Sequence, residues 1–81
     1  MTENNHSCTL AELKENQFAK IASINAGHKA TKRLADLGLT PNTKIKILRK
    51  AGNYGPIEIE TRGASLVLGK GFVNKILVKY E

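Results

Sequence analysis

The chain contains no tryptophan, a single cysteine and only four aromatic residues, Phe18, Tyr54, Phe72 and Tyr80. With so few rings, a core must be built mainly from aliphatic side chains. The lone cysteine, Cys8, excludes an internal disulfide framework. No apolar run approaches the roughly 18–20 residues that a membrane-spanning helix requires. The N-terminus lacks both a basic stretch and an apolar segment, so nothing there resembles a secretory signal. These absences predict a soluble, cytoplasmic protein with no direct insertion into a membrane. They also make Asn5-His6-Ser7, a match to the glycosylation sequon, accidental. Histidine is scarce as well: His6 and His28 are the only two. A nucleophilic triad needs a base and an orienting acid, and the chain offers little to build one, so no enzyme is expected.

What is present points to one small sheet domain. Eighty-one residues leave no room for a second core. A chain this short buries only about 60–65% of its unfolded surface, so the core must be compact and well closed. The hydrophobic fraction of 41% is too high for a disordered chain. Much of it is Ile, Leu and Val in short alternating runs, which favours strands over a helical bundle. Thirteen Lys and Arg against seven Asp and Glu give a formal charge of +6. That favours an acidic partner: nucleic acid, an acidic protein face or an anionic membrane surface. Charge alone does not choose among them.

Along the chain, residues 1–8 are polar and aperiodic and read as a disordered tail, with residues 9–81 as the single domain. Thr9-Leu10-Ala11-Glu12 has the capping-box pattern, with Glu12 reaching back, and Leu10 and Leu13 pin the turn to the core. Glu15-Asn16 makes a turn. Residues 17–24 form a first strand with Ala19 and Ile21 on one face, and a bulge near Ala22-Ser23 returns Ile24 to the core. A helix follows over roughly residues 28–37. Ala30, Leu34 and Leu37 share one of its faces. Gly38 supplies a left-handed residue, and Leu39 folds back onto the last turn. Pro41 suits a turn, and Asn42 tolerates positive φ. On this reading Leu37→Gln damages the core, at a cost of a few kcal/mol.

Residues 43–50 alternate as a second strand, with Ile45 and Ile47 inward. After a turn-rich loop, residues 57–61 return. A five-residue loop puts Ile47 opposite Ile59 and Lys46 opposite Glu60, so opposite charges meet across the outer face. Arg62-Gly63-Ala64-Ser65 is a tight connection into residues 66–68. Phe72 and Val73 allow a short helical turn, and residues 75–79 close with Ile76 and Val78 inward. About five strands with one interposed helix make a mainly β fold, a small and partly open barrel whose helix plugs one end.

Candidate sites are few. His6 and Cys8 form an H-x-C pair, yet a zinc site wants about three or four ligands at fixed spacing. No metal site and no cofactor are therefore expected, with His6 and Cys8 as the weak candidates. The run from Gly63 to Gly71 fails as a phosphate-binding loop. Five residues separate its first two glycines where about four are needed, and Gly71 stands where Ser or Thr holds magnesium. Lys29, Lys32 and Arg33 on the helix, with Lys44, Lys46, Arg49 and Lys50 near in sequence, can make a basic face. The plain reading is a solvated surface. A protein-docking face comes second and nucleic acid last, because no stacking aromatic sits within this stretch. Tyr54, at a loop tip, is the one exposed aromatic candidate. The partner-binding set is accordingly Lys29, Lys32, Arg33 and Tyr54.

The run Arg33-Leu34-x-x-Leu37-Gly38-Leu39-x-Pro41 resembles the signature of the FeoA family, small cytosolic proteins of bacterial ferrous iron uptake. Thr9-Leu10-x-x-Leu13, Gly55-Pro56-Ile57 and the ending over residues 68–78 agree with it, so the resemblance covers roughly residues 9–80. The same module occurs at the C-terminus of iron-dependent repressors of the DtxR type. This sequence shows no winged-helix part, so the stand-alone form is expected. Where the family usually has Pro-Gly turns, this chain has Glu15-Asn16 and Pro41-Asn42. Asn is the least costly replacement for Gly at positive φ. The resemblance implies an SH3-like barrel and no catalytic residues. It implies an accessory role, binding and regulating the FeoB membrane permease through that protein's cytosolic G-protein region or its membrane part.

Overall fold

Alternation of apolar and polar residues decides which side of each strand turns inward, and here it assembles one antiparallel sheet. The computed structural model describes residues 6–52 and 55–80. Its strands are β1 (His6–Thr9), β2 (Phe18–Ile24), β3 (Lys44–Lys50), β4 (Ile57–Thr61), β5 (Ala64–Leu68) and β6 (Ile76–Tyr80). Their spatial order is β1-β6-β2-β3-β4-β5. Helix α1 (His28–Asp36) connects β2 to β3, a short α2 (Lys70–Val73) connects β5 to β6, and a 3₁₀ turn at Leu10–Glu12 follows β1. The barrel is partly open, with β1 and β5 as its two end strands.

The core is wholly aliphatic. Ile21, Ile45, Ile47, Ile57, Ile59, Leu68, Ile76 and Val78 come from the strands, and Leu10, Leu13, Leu34, Leu39 and Val73 close the ends. Phe72 and Tyr80 pack only at its margin. The β3–β4 register is the expected one, with Ile47 opposite Ile59 and Lys46 opposite Glu60. The β2–β6 register shifts between Ile21 and Ser23, where the bulge was expected, and Ile24 packs against the core. A second shift, between Ile47 and Arg49, carries no sequence signal. Asn16 and Asn42 both take positive φ, at 70° and 75°. Gly55 is required by a close approach, since a Cβ there would collide with the Ala51 carbonyl oxygen.

Three expectations need correction. The sheet has six strands, because residues 6–8, read as tail, belong to β1. That strand pairs with β6, Cys8 lying opposite Val78 and packing against the core. Cys8 is the one apolar residue in a strand of four, which leaves no readable period. The second correction concerns Lys46, which does not form the ion pair expected with Glu60. Its ammonium sits 5.4 Å from the centroid of the Phe18 ring. Among the described residues the ion pair is Arg49–Glu58, exposed and long at 4.0 Å, and such pairs contribute little.

Lys50 is the third, read as part of a basic face and found to be structural. Its ammonium donates to the carbonyls of Ala11 and Leu13, both at 2.8 Å, and its backbone N–H donates to the Glu15 carboxylate at 3.0 Å. One side chain thus clips the 3₁₀ turn onto β3. Lys50→Met keeps the aliphatic stem but strands both carbonyls. It should lower the unfolding free energy by about 1–3 kcal/mol in urea denaturation. An unchanged midpoint would mean that water satisfies those carbonyls and the clip is idle.

Candidate interaction surface

Helix α1 owes its orientation to one buried residue, Leu34, which is 1% exposed. Lys29, Lys32 and Arg33 are all exposed on its other sides. Lys29 and Arg33 follow at an interval of four and so share one side of the helix. The start of α1 is electrostatically awkward. Gly27 caps it without a side-chain bond, the first turn holds no acid, and His28 and Lys29 occupy it. The Lys29 cation there opposes the partial positive charge of the free amides.

The end of α1 is tightly built. Gly38, at φ 91°, reverses the chain. Its N–H donates to the Ala35 carbonyl at 2.9 Å, and the Leu39 N–H donates to the Leu34 carbonyl at 2.9 Å. These are the two bonds of the Schellman motif. Thr43 is buried below them, its hydroxyl donating to the Gly38 carbonyl at 3.3 Å and lying 3.1 Å from that of Thr40. The Asn42 N–H donates to the Ile21 carbonyl at 2.6 Å, and the Ile21 N–H returns a bond to Thr43 at 2.9 Å. The turn is thereby bolted to β2.

This geometry overturns the placing of Leu37 in the core. Leu37 is 50% exposed, whereas Leu39 is fully buried. Helical spacing put Leu37 with Leu34, but α1 ends at Asp36, and past that point the angular progression stops. The reversal at Gly38 hands the core position to Leu39. Leu37 is left as an apolar knob at the end of α1.

The remaining candidates separate. Tyr54 lies outside the described residues. Cys8 is half-buried, and burial, assisted by the Glu12 carboxylate, pushes its thiol up from the ordinary value. That favours the protonated form of a side chain that packs against the core. His6 lies opposite Tyr80 in the β1–β6 register. Among the described residues, no three of His, Cys, Asp and Glu gather where a metal ion could sit. No described helix is long and apolar enough to cross a membrane.

One residue was missed altogether. Phe18 is 55% exposed, with the ammonium groups of Lys44 and Lys46 each 5.4 Å from its ring centroid. The signal was its parity: Ala19 and Ile21 face inward on β2, so Phe18 has to face out.

The chain is similar to known proteins over nearly its whole length. The family-wide sequence pattern of the FeoA domain matches residues 8–80. The Fe(2+) transport protein A of Methanocaldococcus jannaschii is 34% identical over 70 residues, which is 86% of this chain and 83% of that one. A crystal structure of an iron uptake regulatory protein, FeoA, superposes with a TM-score of 0.80 at 27% identity, covering 90% of this chain and 94% of the other. A manganese-dependent transcriptional repressor gives a TM-score of 0.85 at 17% identity over all of this chain but 45% of its own. That last likeness is one of fold alone. The fold is SH3-like, and this chain belongs to the FeoA family, whose members act in ferrous iron transport.

Proposed function

We propose that the chain is a non-enzymatic accessory protein of ferrous iron uptake that binds and regulates a FeoB-type permease. The contact is the α1 stripe of Lys29, Lys32 and Arg33 together with Leu37. The exposure of Leu37 carries this reading. Leu37 is half-exposed beside a turn held by backbone hydrogen bonds, so its apolar surface is presented at a fixed place next to the cations of α1. An apolar knob of this kind anchors in a partner's pocket, while cations around it steer encounter and set orientation. The position of Lys29 supports the same view, since a cation in the first turn costs helix stability.

The direct test is a pull-down against the separated cytosolic and membrane parts of the permease, in detergent. Binding to neither removes the proposal. Leu37→Gln should weaken the interaction by about tenfold or more. Because Leu37 is exposed, the same change should move the unfolding free energy by less than about 0.5 kcal/mol. Leu39→Gln, one turn of chain away and fully buried, should instead cost several kcal/mol, roughly 3 or more. Unimpaired binding by Leu37→Gln would place the interface elsewhere.

Charge reversal separates the cationic residues by role. Lys32→Glu or Arg33→Glu should weaken permease binding more than Lys79→Glu does, and equal effects would move the contact off α1. Lys29→Glu should stabilise the fold by about 0.3–1 kcal/mol, as it converts an unfavourable end charge to a favourable one. The same variant should bind the permease more slowly. A variant that is neither more stable nor slower to bind would assign Lys29 to the solvent.

A further inference from the structure

On the outer face of the sheet, Lys20 stands directly opposite Lys44 on β3 and directly opposite Lys79 on β6. Three lysines therefore form one row across three neighbouring strands, spaced about 4.8 Å from strand to strand. Like charges placed directly opposite one another destabilise an antiparallel ladder. Among the described residues, no carboxylate comes within 4.0 Å of any of the three. Phe18 lies next along β2, facing Lys46, and the ammoniums of Lys44 and Lys46 flank its exposed ring. A groove of about 680 Å³ runs here, lined by Phe18, Lys20, Asn42, Lys44, Lys79 and Tyr80. On the same face, two residues from Lys79, Leu77 is exposed opposite Thr9 and Ser23.

We propose that this face of β3, β2 and β6 docks the chain onto an anionic phospholipid surface. The lysine ammoniums sit among headgroup phosphates, and Phe18 and Leu77 rest at the interface. The chemistry of the row selects this partner. Lysine is a mobile point charge on a flexible stem, suited to a two-dimensional field of mobile phosphates. Recognition of fixed carboxylates favours the forked guanidinium of arginine, and the row contains none. A nucleic acid would use Phe18 as a stacking platform, but two ammoniums already crowd that ring. Three charges within about 10 Å also concentrate on a patch rather than extend along a strand. Each lysine near an anionic surface strengthens adsorption roughly fivefold, so Lys20, Lys44, Lys46 and Lys79 together supply two to three orders of magnitude. The net charge of +6 adds long-range attraction. This is adsorption, with no segment crossing the bilayer, and it does not rest on the permease contact.

Vesicle co-sedimentation tests it. The chain should pellet with phosphatidylcholine vesicles containing about 30% phosphatidylglycerol, and not with phosphatidylcholine alone. Raising salt from about 50 to about 500 mM should release it. The double variant Lys44→Glu/Lys79→Glu should bind at least about tenfold more weakly. Both changes set an acid directly opposite Lys20, relieving like-charge repulsion on either side of it. The variant should therefore fold at least as well, and it should keep its permease binding in detergent. Lys70→Glu/Lys75→Glu carries the same net charge on exposed positions and should bind vesicles within about twofold of the parent. Equal losses in both double variants would overturn the proposal by reducing it to net charge. Equal binding to neutral vesicles, or none to anionic ones, would overturn it outright. Tighter binding to a single-stranded oligonucleotide than to vesicles at equal phosphate concentration would overturn it in favour of nucleic acid.

Discussion

The bond from the Leu39 N–H to the Leu34 carbonyl is the constraint from which the working surface of this molecule follows. It closes the last turn of α1 and throws Leu39 inward. It also decides that Leu37, two residues earlier, cannot share the core. Two further bonds, exchanged between Ile21 and the Asn42–Thr43 backbone, hold the reversed chain against β2. The orientation of the helix, the start of β3 and the exposure of Leu37 are consequences of one backbone reversal. Glycine at position 38 is what makes that reversal affordable, since its φ of 91° lies where side-chain-bearing residues are strained.

Much of the fold was legible because the strands obey a period of two. Ile45 and Ile47, Ile57 and Ile59, and Ile76 and Val78 announce their faces. The Ile47–Ile59 pairing is the one a five-residue loop would give, but the strands end with Lys50 opposite Ile57, and the shift between Ile47 and Arg49 restores that pairing. The Ala22-Ser23 bulge was legible from a break in parity alone. The candidate site was less so, for a related reason. Leu37 was assigned by extending a helical period beyond the helix, whereas a cap resets the geometry within one residue. Phe18 carried a parity signal that pointed outward, but the residues read from that strand were only its inward ones. β1 had no signal to read, because pairing with β6, rather than any pattern of its own, holds it in place.

The basic residues illustrate why charge counting is a weak guide to function. Lys50 spends its ammonium on two backbone carbonyls, and Arg49 meets Glu58. Lys44 and Lys46 turn toward an aromatic ring, while Lys29, Lys32 and Arg33 are exposed along α1. Residues adjacent in sequence thus serve a clip, an ion pair, a ring contact and an open stripe. Only the register across strands shows which lysines stand together.

The end strand β5 has a consequence of a different kind. From Ala64 to Leu68 it carries no charge and no proline, and Val67 is 64% exposed. Natural sheets commonly guard such a border with lysine or a bulge, and here neither is present on the strand itself. Colloidal repulsion must do that work instead, supplied by a surplus of six positive charges. Its range is the Debye length, about 10 Å at 0.1 M salt and about 3 Å at 1 M. The molecule's shelf life in concentrated solution is therefore set by its buffer: dilute electrolyte keeps copies apart, and strong electrolyte lets bare borders meet.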